Sequence, residues 1–393
     1  MTKRQKSLII FMGIFFLHVN INHVDGCILD NAEIGARPFS MAGAVVARAD
    51  DIVSAMYYNP AGLTQIEGQN LGMGMVYVYY PVRYKDYHGY NKMNTLRPTL
   101  PYAAYSTDVL RPFILGIGFY SSMGSGFDFH KGTDKIYGGL MTQVGVLYIS
   151  PTIAYQISPE LSLGLEFNIG YGKSELDMPT PLGYLETEAD GFGFGATIGL
   201  LYQPTAKWGM GLTWRSSMKS DLDGDAHLDN VKDSLDVYMY WPQSVTAGIC
   251  YKPIHDLALE VDVVWADWSH FKHSRFKYES FNYLDGPIVR RPKDTYTLKI
   301  GAEYHLNEKI DLRCGYTYYP QAIPSADISP LIPDQTYKSY WVGLGWKVAS
   351  FTLDLGFGYG YAGRKRVHQS STGFSGSYDA RNYIISSQIS YNF

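Results

Sequence analysis

The chain has 393 residues and a formal net charge of −4, which excludes the strongly basic surface of a nucleic-acid-binding protein. Its 34 Tyr, 18 Phe and 40 Gly accompany a hydropathy that is slightly polar on average. The sequence shows neither long amphipathic helices nor alternating strand and helix units, which argues against an ordinary soluble domain, and three Cys are too few for a disulfide framework.

The N-terminus has the layout of a secretory signal peptide. Basic residues precede an apolar run at 7–17, and small or polar residues follow up to Gly26. The apolar run is too short for a membrane-spanning helix, which needs roughly 20 residues. We therefore predict that residues 1–26 are removed. Cys27 is then either a lipidated N-terminal residue or an ordinary residue beside the cleavage site.

Residues 27–68 are rich in small side chains and lack regular alternation. Asp50 or Asp51 is predicted to cap a short helix that runs through Met56. The turn sequence Asn59-Pro60-Ala61-Gly62 is expected to stop that helix. The segment is too short to form a core of its own, so it must pack against the rest of the chain.

From residue 69 onward, apolar and polar residues alternate, as in β-strands with one face towards lipid and one towards water. The pattern is clearest at the C-terminus, where apolar side chains share one face (Tyr383, Ile385, Ile389, Tyr391 and Phe393).

The connections predict fourteen strands. Six tight connections lie at 107–111, 157–160, 203–207, 252–256, 306–309 and 347–350. Seven long polar connections lie at 82–97, 122–139, 176–189, 224–238, 271–293, 320–336 and 365–380. This count takes residues 208–225 as one long strand that projects beyond the membrane. An even number places both ends of the barrel in the periplasm.

The predicted fold is all-β: a 14-stranded antiparallel transmembrane β-barrel in the cell outer membrane, formed by residues 69–393. The lumen of such a barrel is wider than its own side chains can fill. Residues 27–68 are therefore expected to lie inside it as an N-terminal hatch of short helices.

Particular motifs support this arrangement. The chain resembles the FadL-type long-chain fatty acid transporters, and the resemblance spans nearly all of the predicted mature chain. Within residues 27–68 it is carried by Gly35-Ala36-Arg37, Met41-Ala42-Gly43-Ala44, Ala49-Asp50-Asp51, Ser54-Ala55 and Asn59-Pro60-Ala61-Gly62-Leu63, and further on by Pro242-Gln243-Ser244-Val245, residues 263–271 and 312–316, Ile332-Pro333-Asp334 and the terminal Phe393.

The resemblance implies a transporter for hydrophobic small molecules, either long-chain fatty acids or aromatic hydrocarbons. It implies capture in an apolar pocket, passage past the hatch and exit sideways through a strand kink. The hatch would contain Asp50, Asp51 and the Asn59 to Gly62 motif. Family ligand contacts lie in variable strands and loops, so no ligand-binding residue can be carried over. We expect a monomer with no cofactor, and contacts with membrane lipid and lipopolysaccharide.

Two catalytic or cofactor motifs fail on context. Gly358, Gly360 and Gly363 spell GxGxxG, yet no helix follows the strand that carries them, as a dinucleotide site would require. Ser216 and Lys219 have the spacing of a serine–lysine nucleophile, but on a strand they point to opposite faces.

Three further groups have two interpretations each. Trp265 and Trp268 belong either to an interfacial aromatic girdle or to a ligand site. Arg364-Lys365-Arg366 is either a solvated cluster or a site for ligand carboxylates or lipopolysaccharide phosphates. His270 and His273 lie in a loop without trusted metal spacing.

Other functions remain open at this point. One branch of this fold resembles a component of type IX secretion that holds exported proteins at the surface, and the long connection at 271–293 fits that alternative. A general porin is disfavoured by the predicted hatch. An enzyme is disfavoured because no set of nucleophile, base and orienting group is legible.

Overall fold

The computed structural model describes residues 33–86, 89–92, 97–129 and 139–393. The predicted signal peptide and Cys27 lie outside the described residues.

Fourteen antiparallel strands form the barrel, which closes where the first strand pairs with both the second and the last. In chain order the strands are β1 (Gln69–Tyr79 and Val82–Asp86), β2 (Thr99–Leu110), β3 (Phe113–Asp128), β4 (Met141–Gln156), β5 (Leu161–Thr180), β6 (Gly183–Thr205), β7 (Trp208–Arg215 and Met218–Leu228), β8 (Val231–Trp241 and Ser244–Ile254), β9 (Leu257–Ala266), β10 (Thr295–Asn307), β11 (Ile310–Tyr319), β12 (Tyr337–Val348), β13 (Phe351–Val367) and β14 (Gly376–Asn392).

Alternation sets the two faces of the wall. Along β13, Leu353, Leu355 and Phe357 are exposed on the outside, whereas Asp354 and Gly356 are buried on the inside. An exposed apolar outer face and a polar inner face are what a barrel surrounded by lipid requires. The fold class predicted from the sequence is therefore confirmed. In the parts of the chain that the structure describes, no helix is long and apolar enough to cross a membrane.

Two of the predicted long loops are wrong. Residues 176–189 and 224–238 are mostly strand, and the β5–β6 and β7–β8 hairpins turn tightly at 181–182 and 229–230. At the second turn Asp229 has a φ of 52°, and its side chain accepts a hydrogen bond from the Tyr184 amide (2.9 Å). Alternation persists here, but the outer face carries acids because these hairpins project into water. Sequence polarity alone could not separate them from loops.

The remaining long connections contain short elements. Residues 267–294 include the 3-10 helices Trp268–His273 and Asn282–Leu284 and the short strands Arg275–Tyr278 and Gly286–Pro287. The connection between β11 and β12 contains the 3-10 helix Ser325–Asp327. A short strand at Gly89–Lys92 follows β1. All six tight connections join neighbouring strands as predicted.

The strand predicted at 208–225 is one barrel strand with a local break at Ser216 and Ser217, and it runs on to Leu228. At the break, the Ser216 amide donates to the Ala196 carbonyl (2.8 Å), and the Ser216 hydroxyl accepts from the Ala196 amide (2.9 Å). These two bonds keep the wall closed there.

The N-terminal segment (residues 33–68) packs inside the barrel. It contains helix α1 (Ala36–Ser40), helix α2 (Ile52–Tyr57) and a 3-10 helix at Pro60–Gln65. Asp51 caps α2 by accepting from the amides of Val53 (3.2 Å) and Ser54 (3.1 Å). Helix α2 ends at Tyr57, just before the Asn59 to Gly62 motif, and the Asn59 side chain then caps the separate 3-10 helix through the Ala61 amide (3.1 Å).

Glycines on the inner wall make room for this segment. A Cβ atom at Gly164 would lie 2.2 Å from the carbonyl carbon of Pro60, and one at Gly199 would lie 2.1 Å from Oδ1 of Asn59. Similar contacts recur around the ring, where Gly211 faces Val46, Gly315 faces Ala42 and Gly343 faces Ser40. The segment thus touches the wall through backbone as well as side chains.

Candidate functional site

At the loop end of the barrel, a cavity of about 310 Å³ lies under the long connections. We call it the outer cavity. Its lining is mainly apolar, with contributions from strands β5, β6 and β8 and from two loops, including Leu176, Met178, Leu185, Met239, Phe276 and Ile332. Alternation explains the strand contribution, because β5 and β6 continue beyond the membrane with every second side chain facing inward. A space of this size and character suits a small hydrophobic ligand.

Charged contacts hold together the loops that cover the outer cavity. We call these loops, residues 267–294 and 320–336 and the β13–β14 connection, the roof. Arg291 in the 267–294 loop forms a two-pronged hydrogen bond with Asp327 in the 320–336 loop, at 2.9 Å and 2.6 Å. The Ser371 hydroxyl, from the β13–β14 connection, donates to the same carboxylate. The hydrogen bond from Arg291 is the main reason that the pKa of Asp327 lies below its ordinary value. Three loops are thus joined at one acid.

A second acid in the roof is buried. Asp334 Oδ2 accepts hydrogen bonds from the amides of Ala322 and Ile323, both at 2.7 Å. Burial raises the pKa of Asp334 to about 7, although these amides favour the charged form. This part of the roof therefore titrates near neutral pH.

A smaller inner cavity of about 70 Å³ lies deeper in the lumen, beside Tyr57 and Tyr58 of the N-terminal segment. Two cations line it. Lys299 on β10 pairs with Glu33 (2.7 Å), whereas Arg215 on β7 donates to the Tyr57 carbonyl (2.7 Å) and lies over the Tyr57 ring. Among the described residues, Arg215 forms no ion pair with a carboxylate.

A buried polar cluster lies in the same region of the lumen. The Tyr120 hydroxyl donates to Oε1 of Glu166 (2.5 Å) and is also within hydrogen-bond distance of Ser150 and Asn168. Glu166 is fully buried, and no described residue forms a hydrogen bond with its Oε2 atom. The lumen therefore changes from apolar near the loops to polar near the N-terminal segment.

Below the N-terminal segment, towards the tight turns, the lumen opens into a charged space of about 380 Å³. We call it the turn-end vestibule. Glu303 lies at its centre and pairs with Arg37 (2.9 Å), Arg48 (2.7 Å) and Arg313 (2.5 Å). Arg313 also pairs with Asp354 (2.6 Å). An apolar molecule gains nothing by entering this ionic network.

The side wall has a discontinuity between β2 and β3. Their ladder begins at the tight turn and ends at the Ala103–Phe119 pair, although β2 continues to Thr99 and β3 to Asp128. On its other side β3 stays paired with β4, with a bulge between Ser121 and Met123. In the described part of the chain, β2 and β3 therefore have no backbone pairing beyond the Ala103–Phe119 pair, next to this bulge.

The predicted hatch residues all lie in the N-terminal segment and bind either to each other or to the barrel wall. Asp50 and Asp51 both bind Arg37, at 2.7 Å and 2.8 Å. The side-chain amide (Nδ2) of Asn59 donates to the backbone carbonyls of Val46 (2.7 Å) and Leu200 (3.0 Å), and the second bond ties the segment to β6. Pro60 and Ala61 rest against the wall at Gly164, and Gly62 rests against Ala49 within the segment.

The two tryptophans of the 263–271 stretch have different environments. Trp265 lies on β9 opposite Tyr296, on the outward face, as the girdle interpretation requires. Trp268 is buried beside Phe271, with ring centroids 6.0 Å apart, under the roof of the barrel.

The other motifs have structural explanations. Gly358 leaves space for Trp341 and Phe39. Ser216 lies in the break of β7, whereas Lys219 lies on the strand beyond it and pairs with Asp221 (2.5 Å). The described part of the chain contains no cluster of three or more His, Cys, Asp or Glu that could hold a metal ion, and His270 and His273 pack on each other and on Tyr240.

Sequence reasoning missed Arg215, Lys299 and Glu166. A signal was available for Arg215, which continues the inward series Gly209, Gly211, Thr213. An ionisable residue at a lumen-facing position is costly unless it has a task. Which of these residues share one cavity depends on long-range register, which the local pattern does not contain.

These features define an outer-membrane barrel: a closed ring of strands with a lipid-facing band, an N-terminal segment buried inside it and an apolar cavity near the loops. Residues 26–393 match the family model described as "Outer membrane protein transport protein (OMPP1/FadL/TodX)". The chain belongs to this family, so it is an outer-membrane transport protein and not an enzyme.

Known relatives agree with this assignment. The chain is 22% identical to a long-chain fatty acid transport protein of Escherichia coli O6:H1, over 82% of this chain and 83% of that protein. Its fold is similar to the crystal structure of a Pseudomonas aeruginosa FadL homologue, with TM-score 0.80, 16% identity and coverage of 93% and 100%. It is also similar to the P. putida toluene transporter TodX, with TM-score 0.72, 19% identity and coverage of 93% and 99%.

Proposed function

We propose that this protein imports long-chain fatty acids, or closely similar amphiphiles with an anionic head, across the outer membrane. The observation that carries the proposal is the combination of an apolar outer cavity with a deeper Arg215 that forms no salt bridge among the described residues, although the charge of Glu166 acts on it. The E. coli relative that is named a long-chain fatty acid transport protein supports the same class of cargo.

Capture begins in the outer cavity. Each methylene transferred from water to an apolar lining contributes about 0.8 kcal/mol, so a long acyl chain is collected even from dilute solution. The roof loops shield the bound chain from water. The roof contacts at Asp327 must open for a ligand to enter from outside, so they set the rate of entry.

The acidic head is received deeper in the lumen. Arg215 offers a planar guanidinium suited to a carboxylate, and in a poorly hydrated lumen such a bond is stronger than in water. The Oε2 atom of Glu166 can accept a hydrogen bond from a protonated head or a hydroxyl. The chain of the ligand then extends towards the apolar side of the lumen.

The cargo leaves sideways between β2 and β3. Passage straight down would take an acyl chain through the turn-end vestibule, where Glu303, Arg313 and their partners are already paired with each other. Burying methylenes against those ions would give no gain and would disturb the pairs. The unpaired stretch of wall opens towards the lipid instead, and residues 33–68 act as the hatch that directs the cargo there.

A second candidate cargo is an uncharged aromatic hydrocarbon. The structural similarity to the toluene transporter TodX and the aromatic side chains near the outer cavity favour it. The two candidates make opposite demands on Arg215. By contrast, none of the similarities described above supports a protein-secretion role.

The test is a binding and uptake comparison of wild type and Arg215→Gln. The substitution removes the charge and keeps a polar side chain of similar reach. We expect at least tenfold weaker binding of palmitate to the purified protein in detergent, a loss of roughly 1.4 kcal/mol or more, and slower palmitate uptake by cells. Binding of toluene should be unchanged.

Arg381→Gln is the matched control, because Arg381 is exposed on the outer wall, and it should bind palmitate as the wild type does. Equal palmitate affinity in the Arg215 variant would contradict an anionic head in the inner cavity. Toluene binding without any palmitate binding would favour the aromatic candidate.

A further inference from the structure

A group of basic residues lies on the outside of the barrel wall, on three adjacent strands. Above the membrane band, β14 is flanked by the upper part of β1 and by β13. Cross-strand register places Arg83 and Arg364 on either side of Asp379, and Lys85 and Arg366 on either side of Ser377. One step below, Arg381 faces Tyr361, with its guanidinium carbon 5.8 Å from the ring centroid. We call Arg83, Arg364, Arg366 and Arg381 the basic patch.

The height of the basic patch is fixed by the rings below it. Tyr79, Tyr383 and Tyr359 form one row across the same three strands, with centroids 6.0 Å and 5.3 Å apart between neighbours. Such a row marks the boundary between hydrocarbon and headgroups. The rows below it face lipid with side chains such as Ile385 and Phe357. The patch therefore lies at the level of the outer-leaflet headgroups.

The charges of the basic patch are poorly balanced by the protein. Among the described residues, its four arginines share one acid on the same face, Asp379, and the nearest approach of Arg381 to that acid is 3.9 Å. All four arginines are exposed. Asp379 lies between Arg83 and Arg364, but one carboxylate cannot balance these two guanidinium groups together with those of Arg366 and Arg381. An external anion would balance the remaining positive charge.

The opposite wall has the reverse charge at the corresponding position. Beyond the outward rings of Phe192 and Trp214, strands β6 and β7 carry exposed acids: Glu186, Glu188, Asp190, Asp221, Asp223 and Asp225. Among the described residues, the exposed acids thus cluster on this side of the wall, whereas the basic patch has one acid on its face. A general requirement for solubility would not produce this asymmetry.

We propose that the basic patch is a binding site for the phosphate groups of a glycolipid of the outer leaflet, the phosphorylated sugar head of lipopolysaccharide. Arg side chains grip phosphate oxygens in pairs, and a phosphate monoester carries close to two negative charges at neutral pH. The acyl chains of the same lipid would lie against the apolar rows below the tyrosines. One molecule would then bind through its head and its chains together, and this site is independent of the cargo path through the lumen.

The test measures lipopolysaccharide retained by the purified full-length protein in detergent. The triple variant Arg83→Gln, Arg364→Gln and Arg366→Gln removes three charges from the patch. The matched control Lys219→Gln, Lys272→Gln and Lys277→Gln removes three exposed charges from another part of the rim. Each protein is passed over size exclusion with intact or enzymatically dephosphorylated lipopolysaccharide, and the bound lipid is quantified.

We expect wild type and control to retain intact lipopolysaccharide, and the patch variant to retain at least fivefold less. Dephosphorylated lipopolysaccharide should bind weakly to all three proteins, and added salt should weaken binding of the intact form. Normal palmitate binding by the patch variant shows that it is folded. Equal retention by patch variant and wild type, or equal binding of the dephosphorylated form to wild type, overturns the proposal.

Discussion

At the scale of single residues, Asp334 gives the roof a dependence on pH. Its pKa of about 7 lies above the ordinary value of a carboxyl group because the side chain is buried. The closed roof therefore holds a proton that the opened loop releases, so closure is most stable at acidic pH and weakens as the pH rises towards 7. Above that pH the charged form has to be buried, and no further change is expected.

We expect amide exchange in residues 320–336 to show this effect. Between pH 5 and pH 8, the opening equilibrium of the wild-type loop should increase roughly ten- to a hundredfold relative to Asp334→Asn at the same pH. The Asn variant keeps an acceptor for the amides of Ala322 and Ile323 but has no proton to lose. Parallel pH profiles in the two proteins would show that Asp334 does not control the loop.

Residues differed in how visible they were in the sequence. Asp51 was found because capping is local: the acceptor and the amides it binds are two or three positions apart. Asn59 was predicted only as part of a turn, and its cap on the 3-10 helix was not foreseen. Arg215 and Lys299 were missed because they become neighbours only when β7 and β10 are brought to the same cavity. Their partners are far away in sequence, and nothing local specifies them.

At the scale of elements, the bulge in β3 has a specific role in the proposed exit. Ser122 is the extra residue between the Ser121–Leu147 and Met123–Val146 pairs. Deleting it should straighten β3 and extend its ladder with β2, which closes the unpaired stretch of wall. Palmitate uptake by cells should fall at least fivefold, while binding to the purified protein should persist.

A matched control is deletion of Ala362, the extra residue of the bulge in β13. This bulge lies beyond the row of Tyr79, Tyr383 and Tyr359, outside the lipid-facing band, so uptake should stay close to that of wild type. If removing Ser122 leaves uptake unchanged, the cargo leaves by another route.

Strands and tight turns were predicted well because alternation and turn residues are local signals. The β5–β6 and β7–β8 hairpins were mistaken for loops because alternation between an apolar and a polar face weakens outside the membrane. There the outer face needs charge, and only inward residues such as Leu185 and Leu222 remain apolar. The internal placement of residues 33–68 followed from the width of the lumen, not from their own pattern.

At the scale of the whole molecule, the N-terminal segment should keep the barrel closed to ions. We expect purified protein to be silent in planar bilayers, and Gly164→Ala to produce frequent ion-conducting openings. The added methyl group meets the backbone of Pro60 and Ala61 at 2.2–2.3 Å, so the segment has to move.

Gly286→Ala is the control, because a Cβ there meets only the Leu284 carbonyl oxygen at 3.9 Å. It should remain silent. A silent Gly164 variant with normal thermal stability would mean that the segment is not what closes the lumen.

The contact between the N-terminal segment and the barrel wall also has a consequence for how the barrel is assembled. The Ala36 amide donates to Gln388 on β14 and to Tyr102 on β2, both at 3.0 Å, and these two strands flank β1 at the seam where the cylinder closes. Because the wall glycines leave no free space beside the N-terminal segment, this segment cannot enter the barrel once the wall has closed. Residues 33–68 must therefore already be in place when β14 pairs with β1, so the N-terminal segment serves as the template around which the barrel closes.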